Sequence, residues 1–151
     1  MTTKEYLNQI SRLNRMINNK LVEIQQLREL ACSISAINLE DKVQNTPNFD
    51  KIGSKMAKID ELERELDESI DSYADIKNQI IEQILMMKSE KHKEILLDKY
   101  VNFKSISEIA SDFNMTERGC KKAHKKAIEE FEKIHKDDML CNVDSSLPYV
   151  V

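Results

Sequence analysis

The chain has 151 residues, enough for one or two small domains with a modest core. Only 2 glycines and 2 prolines, with 33% charged and 5% aromatic residues, disfavour sheet-rich and turn-rich folds and favour long helices. A net charge of -4 argues against a general polyanion binder, but the charge is unevenly placed: residues 1–88 carry 12 basic and 15 acidic side chains, 89–136 carry 11 and 9, and 137–151 carry 0 and 3.

Thr2 and Glu5 form a capping-box pair that opens a first long helical pattern. Ile10, Leu13, Ile17, Ile24, Leu27, Ala31 and Ile34 follow on alternating three- and four-residue steps, the spacing of a heptad seam. Lys20 breaks that seam, with Leu21 beside it. From residue 38 to 50 the pattern fails, and Asn45, Pro47 and Asn48 predict a loop. A second pattern runs through Ile52, Met56, Ile59, Leu66, Ile70, Tyr73, Ile80, Ile84 and Met87. Glu63 and Lys77 fall on its seam, with Leu62 and Ile76 adjacent; charged groups at such positions belong at the rim or set register. Two helices of roughly 35 residues each, about 50 Å long, fit an antiparallel hairpin or a dimeric bundle equally well.

Ser89 starts a third unit, in which Ile95, Leu96, Leu97, Tyr100 and Val101 give a supporting helix its apolar positions. Ser105 and Glu108 form a second capping box, and Ile106, Ile109, Ala110 and Phe113 line one face of a short helix. Asn114 and Met115 interrupt it. Thr116 then caps another helix, whose inner face carries Cys120, Ala123, Ala127, Ile128 and Phe131. Two helices joined by three or four residues match the helix-turn-helix, which lays its second helix in the DNA major groove. The outer face of that second helix bears Arg118, Lys121, Lys122, Lys125 and Lys126. Within 116–128 five basic residues face one acidic residue, and this local field, not the net charge, steers DNA. Charge runs are usually solvated helix faces; here they alternate in phase with an apolar inner face. Arg118, Lys121 and Lys122 are expected near base edges and adjacent phosphates, Lys125 and Lys126 at phosphates, and Glu117 at a cytosine amino group or supporting the helix N-terminus. The tail 137–151 has no helical period.

Cys32, Cys120 and Cys141 are odd in number and widely spaced, as reduced cytosolic thiols are. Cys120 and His124 have i,i+4 spacing, but no paired CxxC accompanies them and the core needs an apolar group at 120, so no metal or cofactor is expected. The sequence contains no glycine-rich phosphate loop and no supported Ser/His/Asp arrangement, so no enzymatic activity is expected. No apolar run approaches the roughly 20 residues that cross a bilayer, and the N-terminus has no hydrophobic targeting core. The expected location is the cytoplasm.

The run from His92 to Phe131 resembles region four of sigma-70-type RNA polymerase sigma factors. Lys99-Tyr100 corresponds to the Arg-Tyr or Arg-Phe step that ends the supporting helix. Ser105-Ile106-Ser107-Glu108-Ile109-Ala110 matches the T/S-L-x-E-I/V-A helix, and Met115-Thr116 through Cys120 matches the start of the reading helix. With its two long helices, the chain looks like small phage and prophage proteins of Gram-positive bacteria, described as sigma-factor-like or late-gene regulators. The resemblance implies an all-α fold: a long antiparallel coiled-coil hairpin (1–88) followed by a sigma-like helix-turn-helix (89–136). It implies DNA reading by Glu117, Arg118, Lys121 and Lys122; with the cap residue Thr116 and the phosphate-facing Lys125 and Lys126 of the outer face, these are the expected DNA-binding residues. Primary sigma factors typically have Arg-Glu where this chain has Glu117-Arg118, and Gly119 weakens the first turn, so the implied target differs from the ordinary promoter hexamer. Nothing resembles the domain that melts promoters. The expectation is therefore a transcriptional regulator that binds double-stranded DNA as a homodimer through the helical arm. An RNA polymerase- or partner-binding protein that leaves DNA untouched is the alternative, and a small DNA-packaging subunit the third.

Overall fold

The computed structural model describes the backbone of residues 1–40 and 48–141 and the side-chain surroundings of residues 1–33 and 52–136. It is all-helical, with no strand among the described residues. The elements are α1 (Thr3–Leu7), α2 (Gln9–Glu40), α3 (Asn48–Leu85), α4 (Glu90–Leu96), a π-helical segment (Leu97–Val101), α5 (Ile106–Asp112) and α6 (Glu117–Cys141). No helix among the described residues is long and apolar enough to cross a membrane.

The predicted starts hold where a cap defines them. Thr2 and Glu5 make the reciprocal capping box of α1, and the Ser89 side chain accepts from the His92 N–H at the start of α4. Two ends differ from the sequence pattern. α2 runs to Glu40 and α3 begins at Asn48, directly after Pro47, so residues 41–47 of the expected loop lie outside the described residues. α6 passes a kink at His135 (φ -116°, ψ 20°) and runs on to Cys141, past the expected end at 136. The chain has neither glycine nor proline between 120 and 147, and hence no strong breaker to end the helix earlier. Residues 142–151 of the expected tail lie outside the described residues.

Contacts divide the chain into two compact units, and α2 and α3 contribute to both. One unit is Leu13–Tyr73. Here Ile17, Ile24, Ile59, Leu62 and Leu66 form a buried cluster flanked by Leu27 and Tyr73. Lys20 reaches Glu65 and Ser69, whereas Arg28, two turns further along α2, pairs with Glu63, so the two helices run antiparallel in this unit. The inner stripe of α3 follows Ile59, Leu62, Leu66, Ser69 and Tyr73, one residue out of phase with the expected seam at two places. Met56 and Ile70, expected on that seam, are 52% and 42% exposed. A step of one residue turns a side chain by about 100°, and the partner decides which neighbour faces in. Ser69, not Ile70, meets Lys20, whose Nζ lies 3.2 Å from Ser69 Oγ, 3.4 Å from the Glu65 carbonyl and 3.4 Å from the Glu65 carboxylate. Lys20 is thus a polar layer in an otherwise apolar seam, at a charged position of the kind expected to lie at the rim or to set register.

The other unit joins Met1–Arg12 to the chain from Ala74 onward, so residue 88, expected as a boundary, falls inside it. Tyr6, Leu7 and Ile10 are buried here, as are Ile80, Ile84, Met87, Leu96, Tyr100, Ala127, Ile128 and Phe131. Tyr6 and Phe131 lie 6.2 Å apart between ring centroids, and Phe131 and His135 lie 4.8 Å apart. Gln83 is the buried polar hub. Its side-chain oxygen accepts from the Tyr6 hydroxyl at 2.8 Å, and its backbone carbonyl lies 2.8 Å from His135 Nε2. No buried side-chain polar atom among the described residues lacks a partner, as a stable core requires.

Candidate nucleic-acid interface

α5 and α6 are set at a fixed offset by local chemistry. Ser105 Oγ accepts the Glu108 N–H at 3.2 Å, and the Glu108 carboxylate accepts the Ser105 N–H at 2.7 Å, closing a capping box at the start of α5. That backbone hydrogen bond holds the Glu108 carboxyl below its usual range. Lys104 Nζ bridges Asp112 at 2.9 Å and Asp98 at 3.3 Å, and so ties the preceding connection to both neighbouring elements. In that connection Phe103 takes a left-handed conformation with φ 57°.

After α5 the chain turns through residues 113–116. Asn114 adopts φ 51°, a left-handed conformation that asparagine tolerates better than most residues. The Met115 N–H reaches back to the Ala110 carbonyl at 2.9 Å. Thr116 Oγ1 then accepts the Gly119 N–H at 3.1 Å, the expected cap of α6. A Cβ at position 119 would stand 3.2 Å from that oxygen, so the glycine leaves room for the cap of the turn it was expected to weaken.

The inner sides close on a core of Ile95, Ile109, Ala110 and Cys120, with Ile106, Phe113, Met115 and Ala123 packed against it. Burial pushes the Cys120 thiol up, which makes it an inert packing group. His124 does not join it. Its ring stacks on Tyr100 at 5.7 Å, and its Nε2 lies 3.0 Å from the Tyr100 hydroxyl. Among the described residues no three His, Cys, Asp or Glu side chains are placed to hold a metal ion; the Cys141 side chain lies outside them.

With Cys120, Ala127, Ile128 and Phe131 turned inward, helical geometry turns the basic residues outward. Thr116, Glu117, Arg118, Lys121, Lys122, Lys125 and Lys126 are all exposed. None of the five cations is paired with a carboxylate among the described residues, whereas Lys20, Arg28, Lys58, Lys93 and Lys104 are. Thr116 already uses its oxygen as the cap acceptor and keeps its hydroxyl hydrogen to donate. Glu117 stands in the first turn of α6, where a negative charge suits the helix dipole.

The far half of α6 is fastened by groups that do not stand out in the sequence. The Glu130 carboxylate accepts the Lys88 and Ser89 N–H groups at 3.0 and 3.2 Å, and its other oxygen lies 2.5 Å from His92 Nδ1. The hydrogen bond to His92 is the main reason that the Glu130 carboxyl sits below its ordinary range. Together with His135 on Gln83, these contacts fix the orientation of α6 within its unit. A single glutamate among the charges of an outer face carries no spacing signal, so Glu130 was not legible in advance. Comparison with known families, characterised proteins and solved structures finds no match for this chain.

Proposed function

We propose that this protein is a sequence-specific DNA-binding regulator of phage or prophage transcription, resembling sigma factor region four without a promoter-melting domain. The observation that carries the reading is the outward face of α6. Arg118, Lys121, Lys122, Lys125 and Lys126 are exposed and unpaired with any carboxylate among the described residues, on a helix whose opposite face is packed against α5. Arg118, Lys121 and Lys122 read base edges and adjacent phosphates, and Lys125 and Lys126 hold phosphates. Binding releases condensed counterions and involves no catalysis. Residues 1–88 supply a helical arm through which two copies pair, because one short helix reads few base pairs and two half-sites about 34 Å apart add affinity. Leu21, Val22, Leu30, Met56 and Ile70, all exposed on the Leu13–Tyr73 unit, are apolar surface available for that pairing.

The test is the double variant Arg118→Ala/Lys121→Ala, with helicity confirmed by circular dichroism. Both side chains are exposed, so the fold is expected to survive. Loss of roughly 1–3 kcal/mol of discrimination per base contact supports the assigned reading face. Unchanged specific affinity contradicts it.

A further inference from the structure

The Leu13–Tyr73 unit carries a second line of heptad positions beside its buried seam. Arg28 on α2 pairs with Glu63 on α3 across one side of the two antiparallel helices. Seven residues return a helical side chain to within about 20° of its starting direction. Leu21, seven before Arg28, and Ile70, seven after Glu63, therefore share the side of that ion pair and stand level with each other. Met56, seven before Glu63, stands on the same side, about 10 Å from the pair in the other direction. Leu21, Met56 and Ile70 are exposed, whereas Ile17, Ile24, Ile59, Leu62 and Leu66 close the seam beside them. Val22 and Leu30 lie about 100° and 180° around α2 from Leu21, and so fall outside this face.

Single exposed apolar residues are ordinary on a protein surface. Repetition at heptad steps on both helices, in register with an ion pair, is the pattern of helices that pack on two sides, as in a four-helix bundle. The ion pair decides what can cover it. An apolar cover would desolvate both charges without giving either a new partner, and a cover of one sign would repel one of them. A cover bearing the same two charges in reverse order, at one height, satisfies both. The same face of a second copy presents that order when turned about a two-fold axis parallel to the helices. We propose that two copies pair through the face of Leu21, Arg28, Met56, Glu63 and Ile70, each α2 lying antiparallel on the α3 of the other copy. Arg28 of each copy then meets Glu63 of the other, and the four charges alternate around the bundle. Leu21 and Ile70 of both copies close one apolar layer, and the two Met56 side chains lie in another. Asp60 and Asp67, further out on α3, come level with Cys32 and Gln25 of the second copy, neither of them a carboxylate. This names the surface for the arm pairing proposed above and rests on that reading.

Sedimentation equilibrium of the full chain tests this face, and the wild-type chain is expected to be a dimer. Arg28→Glu gives a copy with two acids in the charged layer, and Glu63→Arg gives a copy with two bases. Each variant alone, checked for unchanged helicity by circular dichroism, is expected to dimerise roughly 10-fold more weakly or worse. An equimolar mixture of the two is expected to recover a dimer, because acids then lie over bases. Ile70→Glu, checked in the same way, is expected to weaken self-association without rescue by mixing. A mixture no more associated than its separate components, with helicity intact, overturns the alternating layer. If all three variants dimerise as tightly as the wild-type chain, the copies pair through another surface and this face is wrong. A monomeric wild-type chain that still retains specific DNA fragments overturns the pairing and leaves the DNA-binding reading standing.

Discussion

Gln83 shows how one side chain can hold three elements together. It accepts from Tyr6 through its amide oxygen and lies against His135 through its backbone carbonyl, joining α1, α3 and α6. Replacing Tyr6 by Phe keeps the ring against Phe131 but removes a donor from a buried oxygen. That change is expected to cost about 1–2 kcal/mol, measured by urea unfolding with far-ultraviolet circular dichroism. Titration gives a second expectation. His124, held low mainly by burial, stabilises the fold above its ordinary pKa of 6.5, and that contribution is lost as pH falls through its lower folded value. Glu130, held low by His92, behaves likewise below 4.5. Tyr100 works in the opposite direction. Burial pushes its hydroxyl up to about 12, so its contribution is present below the ordinary value of 10.0 and lost as pH rises through 12. Stability measured against pH should therefore fall on both sides of neutrality. His124→Asn should flatten the first acid step. A profile unchanged in that variant would remove His124 from the account.

Among the helices, the Lys20 layer makes a distinct claim. Lys20, Glu65 and Ser69 hydrogen-bond one another inside an otherwise apolar seam, a costly arrangement that fixes which residues face each other. Lys20→Leu is expected to leave stability within about 1 kcal/mol or to raise it, because an apolar residue replaces a desolvated charge. The same change should relax the pairing and add a species larger than the wild-type one in sedimentation equilibrium. A single unchanged species would show that the layer does not specify pairing. This layer also marks where sequence reasoning reaches its limit. The capping boxes at Thr2 and Ser105 are legible because cap and third residue lie in one local sequence window. The inner faces of α5 and α6 are legible because their apolar residues keep one period. The α3 stripe is ambiguous at Leu62/Glu63 and Ser69/Ile70, where adjacent residues compete and only the partner helix chooses. The seven residues expected to face DNA are exposed, and solvent exposure follows from the same period; what they bind does not.

For the whole molecule, the two compact units divide the labour proposed above. One gathers α4, α5, α6 and the N-terminal α1 around the cationic surface, and the other is the central stretch of the two long helices. That residues 1–12 belong with the first unit was not legible, because Tyr6 meets Gln83 and Phe131 across separations that no local period reveals. Genomic-fragment capture reads the proposed function directly: purified protein is mixed with sheared host and prophage DNA, and the retained fragments are sequenced. The account predicts one or a few discrete sites, upstream of phage genes, that disappear with Arg118→Ala/Lys121→Ala. Recovery of nothing, or of a random sample of the genome, would contradict a sequence-specific regulator and shift the cationic face to a protein partner such as RNA polymerase.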